Sequence, residues 1–172
     1  GIRRNALGER VRVVTQAQHL VKGKIYRPHA LIGAWLGHLA GNLEGGGLRS
    51  LVLSPQGAVM FEPMGGEGAR EALGDLLRAW DEGMREPLPV ACRTALTWLR
   101  SGADAARDKA LKTYEGEAAD SPGLRRAYPD FEALLADGRF ADWAKRLYGG
   151  LANAMQAAEG FLGSKPGKEG SA

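Results

Sequence analysis

Residues 128–145, YPDFEALLADGRFADWAK, hold acids and a lysine in an order that many metal-dependent nucleases use. In that chemistry, acids converge on Mg²⁺ and a lysine supports the attacking water. The candidates here are Asp130, Asp142 and Lys145. The pair Pro129-Asp130 also suits the first turn of a helix, where an acid meets the positive end of the helix dipole. Both interpretations therefore start from the same residues.

The spacing of Asp142 and Lys145 favours an ordinary helix. In the common nuclease pattern the second acid and the lysine flank one residue on a β-strand, so that both side chains share a face. Here they are three residues apart, and the segment has a helical period with Phe140, Trp143 and Leu147 as its apolar stripe. The spacing predicts an exposed i, i+3 ion pair of small energetic value.

No other chemical motif stands out. His19, His29 and His38 lack the spacing of metal ligands, and each is predicted to be a surface or packing histidine. Cys92 is the single cysteine and has no obvious histidine partner, so it is predicted to be a packed thiol in a reducing cytoplasm. The glycine-rich stretch 33–47 follows no predicted strand and lacks the lysine of a phosphate-binding loop. We expect no cofactor and no metal.

The positive charge is concentrated at one end of the chain. The net charge of the 172 residues is +3, but residues 1–27 alone carry seven bases and one acid. This basic end is predicted to contact phosphate or an acidic partner. The alternative is a solvated edge strand protected by its charges.

Periodicity predicts a single α/β domain with few strands, a hairpin and at least four helices. The predicted strands are one or two over 9–26 with a break near Gly23, and a hairpin over 48–61. The predicted helices begin with one from Pro28 and continue over 66–86, 129–136 and 139–158. Residues 93–116 are predicted to form a helix or a helix pair with a bend at Gly102, and 117–123 a loop. So few strands are typical of part of a larger α/β domain or of a chain that packs on a partner. The chain begins with glycine rather than Met, which predicts that it was cut from a longer protein, and no apolar run is long enough to span a membrane.

The four tryptophans all lie in predicted helical stripes. They are Trp35, Trp80, Trp98 and Trp143. We expect them to anchor the core or an interface rather than to stack on nucleic-acid bases.

Three segments resemble the C-terminal end of RecC, the gamma chain of exodeoxyribonuclease V. They are WDEGMREPLPVACRTALTWL (80–99), ARDKALKTYEGE (106–117) and LRRAYPDFEALLADGRFADWAKRLYGGL (124–151). HALIGAWLGHLAGN and the hairpin after it follow in the order expected of that family. The resemblance covers residues 10–160 and includes no catalytic motif.

The resemblance implies a role in the bacterial RecBCD helicase–nuclease, which acts in double-strand break repair by homologous recombination. RecC holds the RecB-type and RecD-type subunits together in a cytoplasmic heterotrimer and guides the separated DNA strands. Its last portion is similar to a restriction-endonuclease-like domain, a degenerate PD-(D/E)XK nuclease without activity. Residues 1–162 would be a fragment of that domain, and 163–172 a disordered tail.

The family also indicates where nuclease residues would stand. The strand before the helix from Pro28 would place the acid at Thr15 and the lysine at Ala17, and residues 13–21 contain neither an acid nor a lysine. The resemblance therefore implies a site without the charge that holds Mg²⁺.

Three functions follow as hypotheses. The first is a non-catalytic structural and DNA-guiding domain, with Lys22, Lys24 and Arg27 as the predicted phosphate contacts. The second is an active Mg²⁺-dependent nuclease that uses the residues of the opening segment. The third is a protein-interaction module with no role on DNA.

Overall fold

The computed structural model describes residues 1–22, 25–45 and 47–163 of the chain. Its strands are β1 (Ile2–Arg4), β2 (Arg10–Thr15), β3 (Val21–Lys22), β4 (Ile25–Tyr26), β5 (Leu48–Leu53) and β6 (Ala58–Phe61). A 3-10 helix, Pro28–Leu31, precedes α1 (Ile32–Leu43), α2 (Gly66–Gly83), α3 (Cys92–Arg100), α4 (Ala103–Asp120), α5 (Pro122–Ala127), α6 (Phe131–Leu135) and α7 (Phe140–Gly163).

A mixed four-stranded sheet organises the first half of the chain. Its strand order is β1-β2-β5-β6, and β3 pairs with β4 in a separate ladder. Strands β2 and β5 are parallel, with Val13 opposite Leu51, whereas the other pairs are antiparallel. Parallel neighbours require a crossover, which the 3-10 helix and α1 supply. The predicted α/β class is confirmed.

One face of the sheet forms the main core. Leu48, Ser50 and Val52 alternate along β5 and are buried, and on β6 Val59 and Phe61 are buried. Helix α1 covers this face and α7 contributes to the same core. The opposite face stays more open to solvent among the described residues.

Two glycines let α1 approach the sheet closely. A Cβ at Gly41 would lie 2.2 Å from Cδ2 of Leu48, and one at Gly37 would lie 2.5 Å from the Arg12 guanidinium. The space left at Gly37 lets Nη1 of Arg12 donate to the Ala34 carbonyl at 3.1 Å. A larger side chain at Gly37 would displace the Arg12 guanidinium, and one at Gly41 would displace the buried Leu48 side chain.

Buried polar groups fix α1 against β5. Leu48 N donates to Oδ1 of Asn42 at 2.9 Å, and Nδ2 of Asn42 donates to the Leu48 carbonyl at 3.3 Å. Nδ1 of His38 lies 2.9 Å from Oγ of Ser50. Burial, with a smaller contribution from the Arg12 charge, lowers the pKa of His38, so its imidazole is neutral at pH 7. These bonds satisfy groups that would otherwise be buried without partners.

A second core lies among the C-terminal helices. The rings of Trp98 and Phe140 meet edge to face with centroids 5.5 Å apart, and Phe131 packs between Phe140 and Tyr114. The Tyr114 hydroxyl donates to the Tyr128 carbonyl. This cluster joins α3, α4, α6 and α7.

The structure corrects some of the predicted elements. Strand β1 was not predicted, and α5 occupies part of the segment 117–123 that was predicted as a loop. Of the two alternatives predicted for 93–116, a single helix or a pair, the pair is found, since α3 ends before Gly102 and α4 begins after it. The predicted tail is untested, because residues 164–172 lie outside the described part of the chain.

Helix α2 buries only part of its predicted apolar face. Leu77, Trp80 and Met84 are 67%, 68% and 71% exposed, whereas Ala69 is fully buried. None of the helices in the described ranges combines the length and apolarity of a membrane span.

We predict that Asn42→Ala lowers the free energy of unfolding by about 2 kcal/mol, because both polar backbone groups of Leu48 lose their side-chain partner. Urea denaturation measures this change. Asn153→Ala is the matched control, since Asn153 is exposed on α7 and should lose no stability. Equal losses in the two variants would contradict the role of Asn42.

Candidate nucleic-acid interface

A carboxylate from α4 caps the start of α3. Oε1 of Glu117 accepts from Arg93 N at 3.0 Å, and Oε2 accepts from Thr94 N and from Thr94 Oγ1, each at 2.9 Å. The residue before α3, Ala91, has no side chain that can cap it. Glu117 is 9% exposed, so these bonds are largely shielded from water. The negative charge of Glu117 also lies at the positive end of the α3 dipole, where it is stabilised.

The two helices held by this cap form the walls of a groove. Oγ1 of Thr113 on α4 donates to Oγ1 of Thr97 on α3 at 3.2 Å. The groove has a volume of about 680 Å³, within the range of ligand sites. Its lining residues are Tyr26, Arg27, Pro28, His29, Arg93, Leu96, Thr97, Arg100, Ser101, Lys109, Lys112 and Thr113.

The groove is positively charged. Five of its lining residues are lysine or arginine, and none is aspartate or glutamate. Arg93 at one end is neutralised in part, since its Nη2 lies 2.8 Å from Oδ2 of Asp120. Lys109 and Lys112 are exposed on α4 and form no ion pair with any residue that the structure describes. Their charges therefore face the solvent in the groove.

The pKa of His29 responds to the same charges. Burial is the largest cause that lowers the pKa of His29, and the Arg27 and Arg93 guanidiniums lower it further. The Glu117 charge raises the pKa of His29. A neutral imidazole lets Nε2 accept from Nη2 of Arg27 at 3.4 Å. The two guanidiniums thus lie close enough to His29 to act on its charge.

The predicted phosphate contacts are only partly located. Arg27 lines the groove. Lys22 is the last residue of β3, and Lys24 lies outside the described residues. Their predicted role is untested.

Three of the other N-terminal arginines donate to backbone carbonyls. Arg10 donates to the carbonyls of Glu44 at 2.8 Å and Gly41 at 3.2 Å, at the end of α1. Arg12 donates to a carbonyl of the same helix, and Arg4 to that of Gly8. Cations at a helix C-terminus stabilise its unpaired carbonyls. Part of the basic end therefore serves structure.

The two positions that the resemblance gives to nuclease residues are neutral and exposed. Thr15 ends β2 opposite Leu53, and Ala17 lies beyond the strand. Gln16 between them donates its N–H to the Leu53 carbonyl at 3.0 Å. Neither side chain can hold a cation or supply an ammonium group.

The structure separates the residues of the opening segment. Asp130 is the N-cap of α6, where its Oδ1 accepts from Ala133 N at 2.8 Å. Asp142 and Lys145 lie on α7 and line a surface pocket of about 430 Å³ with two acids of α2, Glu71 and Asp75, but not with Asp130.

The described residues of the opening segment do not form a metal site. Over the described ranges, no group of three or more histidines, cysteines, aspartates or glutamates is arranged to hold a metal ion. Asp142 and Lys145 are exposed on α7, as the helix interpretation predicts. The ion pair predicted between them is not formed among the described residues, since the Lys145 ammonium does not lie within ion-pair distance of the Asp142 carboxylate.

Cys92 is a packed thiol at the start of α3. Burial, with the Glu117 charge as the next cause, raises the pKa of Cys92 to about 11, against the effect of a hydrogen bond with Tyr148 and of the Arg93 charge. Burial likewise raises the pKa of Tyr148. The thiol is protonated at neutral pH and is a poor nucleophile.

Sequence reasoning missed the α4 side of the groove. Lys109 and Lys112 are one helical turn apart, a spacing that puts them on one face of the helix. That signal was readable in the sequence. Their approach to Arg27 was not, because more than 80 residues separate them and only the packing of α4 on α3 joins the two segments.

Comparison with known proteins identifies one family. Residues 2–103 match the family model described as the RecC C-terminal domain. The match includes the segment 80–99 and ends before 106–117 and 124–151, on which the sequence resemblance also rests. A search of curated proteins found no match.

We predict that iodoacetamide modifies Cys92 in the folded chain about 100-fold more slowly than in the chain unfolded by urea at pH 8. The pKa of about 11 against an ordinary value of 9.0 lowers the thiolate fraction by that factor. The native rate should rise about tenfold per pH unit up to the raised pKa. Equal native and unfolded rates, measured by mass spectrometry, would contradict a buried protonated thiol.

Proposed function

The chain belongs to the RecC C-terminal domain family, and from this premise we propose that it is a non-catalytic structural and DNA-guiding domain of the RecC subunit. Membership of the family gives the chain a role in the RecBCD complex. The proposed process is double-strand break repair by homologous recombination in the cytoplasm. The family match over residues 2–103 is the observation that carries the proposal.

The end of β2 supports the non-catalytic part. In the restriction-endonuclease-like fold that the resemblance implies, Thr15 and Ala17 stand where an active enzyme would carry an acid and a lysine. Neither position has a charge. A cation there would have no carboxylate ligand from this strand, so the usual route to an activated water is missing.

The exposed side of α2 supports the structural part. Leu77, Trp80 and Met84 follow each other along one side of the helix, and each is at least two-thirds exposed. Tryptophan and methionine are enriched in the buried parts of protein interfaces. We infer that a RecB-type or RecD-type subunit covers this stripe in the heterotrimer. This surface alone would also suit the third hypothesis, a protein-interaction module with no role on DNA.

The basic surface supports the DNA-guiding part. Arg27 lines a positively charged groove, and Lys22 precedes it by five residues. We infer that Lys22, Lys24 and Arg27 contact phosphates of a DNA strand. Such contacts release counterions and make binding depend on salt concentration.

The alternative is an active Mg²⁺-dependent nuclease built on Asp130, Asp142 and Lys145. The pocket between α2 and α7 holds two of these residues, but no group of acids in the described ranges is arranged to bind a metal ion. Three carboxylates, those of Glu71, Asp75 and Asp142, line the pocket together with Lys145. Against this alternative, Asp75 pairs with Arg78 at 2.7 Å, and Asp130 caps α6 rather than lining the pocket.

We predict that the purified chain does not cleave supercoiled plasmid in Mg²⁺ or Mn²⁺, since the strand position that would activate water is neutral. Gel electrophoresis measures nicking and linearisation. Asp142→Ala and, as an exposed control on the same helix, Asn153→Ala should behave as the unmodified chain does. Cleavage that disappears in Asp142→Ala but persists in the control would establish the nuclease instead.

We predict that the combined change Lys22→Glu, Lys24→Glu, Arg27→Glu weakens DNA binding by the assembled complex. Three lost contacts to a single strand should reduce the slope of log affinity against log salt by about 2. Fluorescence anisotropy over a salt series measures the slope.

The control for this experiment reverses three exposed cations elsewhere, Arg125, Arg126 and Lys145, with the same change in net charge. It should leave the slope unchanged. If the first variant also retains the full slope while the complex still assembles, the DNA-guiding role is wrong and the interaction module is the better description.

A further inference from the structure

We propose that the groove between α3 and α4 is a binding site for single-stranded nucleic acid, with Lys109 and Lys112 on the phosphates. The proposal rests on the proposed function for the class of ligand. It differs in the residues that carry it, since the α4 lysines lie outside the basic end of the chain and outside the family match. In this proposal a nucleic-acid strand runs between α3 and α4.

The charge of the groove points to an anion. Cations reach it from three separate elements: Arg27 before the 3-10 helix, Arg93 and Arg100 on α3, and the two lysines on α4. Arg93 is compensated in part by Asp120, so the charges that indicate a ligand are those of Lys109 and Lys112, because neighbouring like charges cost free energy unless an anion compensates for them. Lys109 and Lys112 have no acidic partner among the described residues, so they remain available to a ligand.

The uncharged residues of the groove point to a ligand with an apolar part. Tyr26 and Pro28 are half-buried and lie among the cations, whereas Leu96 is buried beneath them, and Thr97 and Thr113 add hydroxyl groups. Proteins that bind single strands without sequence preference combine a basic groove with apolar or aromatic surface on which bases stack. A free phosphate would use only the charges.

The concave shape favours a single strand over a duplex. A cavity of about 680 Å³ can receive unstacked bases. The bases of a duplex are paired, and a protein contacts their edges only by inserting a helix or strand into a groove of the duplex. The walls are also fixed before binding, because Glu117 caps α3 and Thr113 donates to Thr97. A preformed site loses less free energy in ordering its side chains.

The test measures binding of fluorescein-labelled oligothymidylate by the 172-residue chain in a salt series. We expect Lys109→Glu, Lys112→Glu to weaken binding about tenfold at physiological salt and to lower the salt slope by about 1.4, for two lost contacts. Lys109→Gln, Lys112→Gln should give a smaller loss with the same change of slope.

The matched control is Lys145→Glu, Arg146→Glu, which makes the same change in net charge on α7, away from the groove. It should bind as the unmodified chain does. An oligomer of the same length without bases should bind at least about fivefold more weakly, because stacking of bases on Tyr26 and Pro28 is lost. Far-ultraviolet circular dichroism verifies that the helices of each variant are intact.

Four results would overturn the proposal: no salt-dependent binding by the unmodified chain, equal losses in the α4 variant and the α7 control, a duplex bound as tightly as the single strand, or equal displacement by polyglutamate. The last would identify an acidic polypeptide as the partner. Failure here, together with a positive result for Lys22, Lys24 and Arg27 in the assembled complex, would retain the proposed function and reject only the groove.

Discussion

The buried carboxylate of Glu117 is the interaction on which the arrangement of the C-terminal helices depends. It satisfies two N–H groups at the start of α3 from the neighbouring helix, because Ala91 cannot do so itself. Removing it would leave buried donors unpaired, at a cost of roughly 1–3 kcal/mol per group. The same bonds set the distance between α3 and α4, and that distance defines the basic groove. Glu117 thus stabilises the helix pair and also holds the walls of the proposed binding site.

The sheet and α1 depend on a different kind of constraint. Two glycines permit close approach, and Asn42 and His38 then provide the hydrogen bonds that this approach requires. Arg10 and Arg12 are drawn to the carbonyls of the same helix. The cations of the basic end therefore have two locations. Arg10 and Arg12 stabilise the fold, whereas Arg27 lies beside cations of α3 and α4 in the groove.

The nuclease-like order of acids and lysine in residues 128–145 has a local explanation. Asp130 caps a helix, while Asp142 and Lys145 lie on the exposed surface of another. A motif carries chemistry only when its residues share a face, and a strand and a helix place the same spacing differently. The sequence resemblance instead gives the nuclease positions to Thr15, at the end of β2, and to Ala17 just beyond that strand, and both side chains are neutral.

The sequence by itself determined the α/β class, the amphipathic helices, the hairpin and the family resemblance, because periodicity and short motifs are local properties. It also predicted that Cys92 is a packed thiol. Only the tertiary structure decided which charges act together, since Lys109, Lys112 and Arg27 meet through helix packing across a long stretch of chain. Likewise, the apolar face of α2 is readable from its spacing, but the exposure of Trp80 depends on which neighbours cover the helix, and this the fold alone determines.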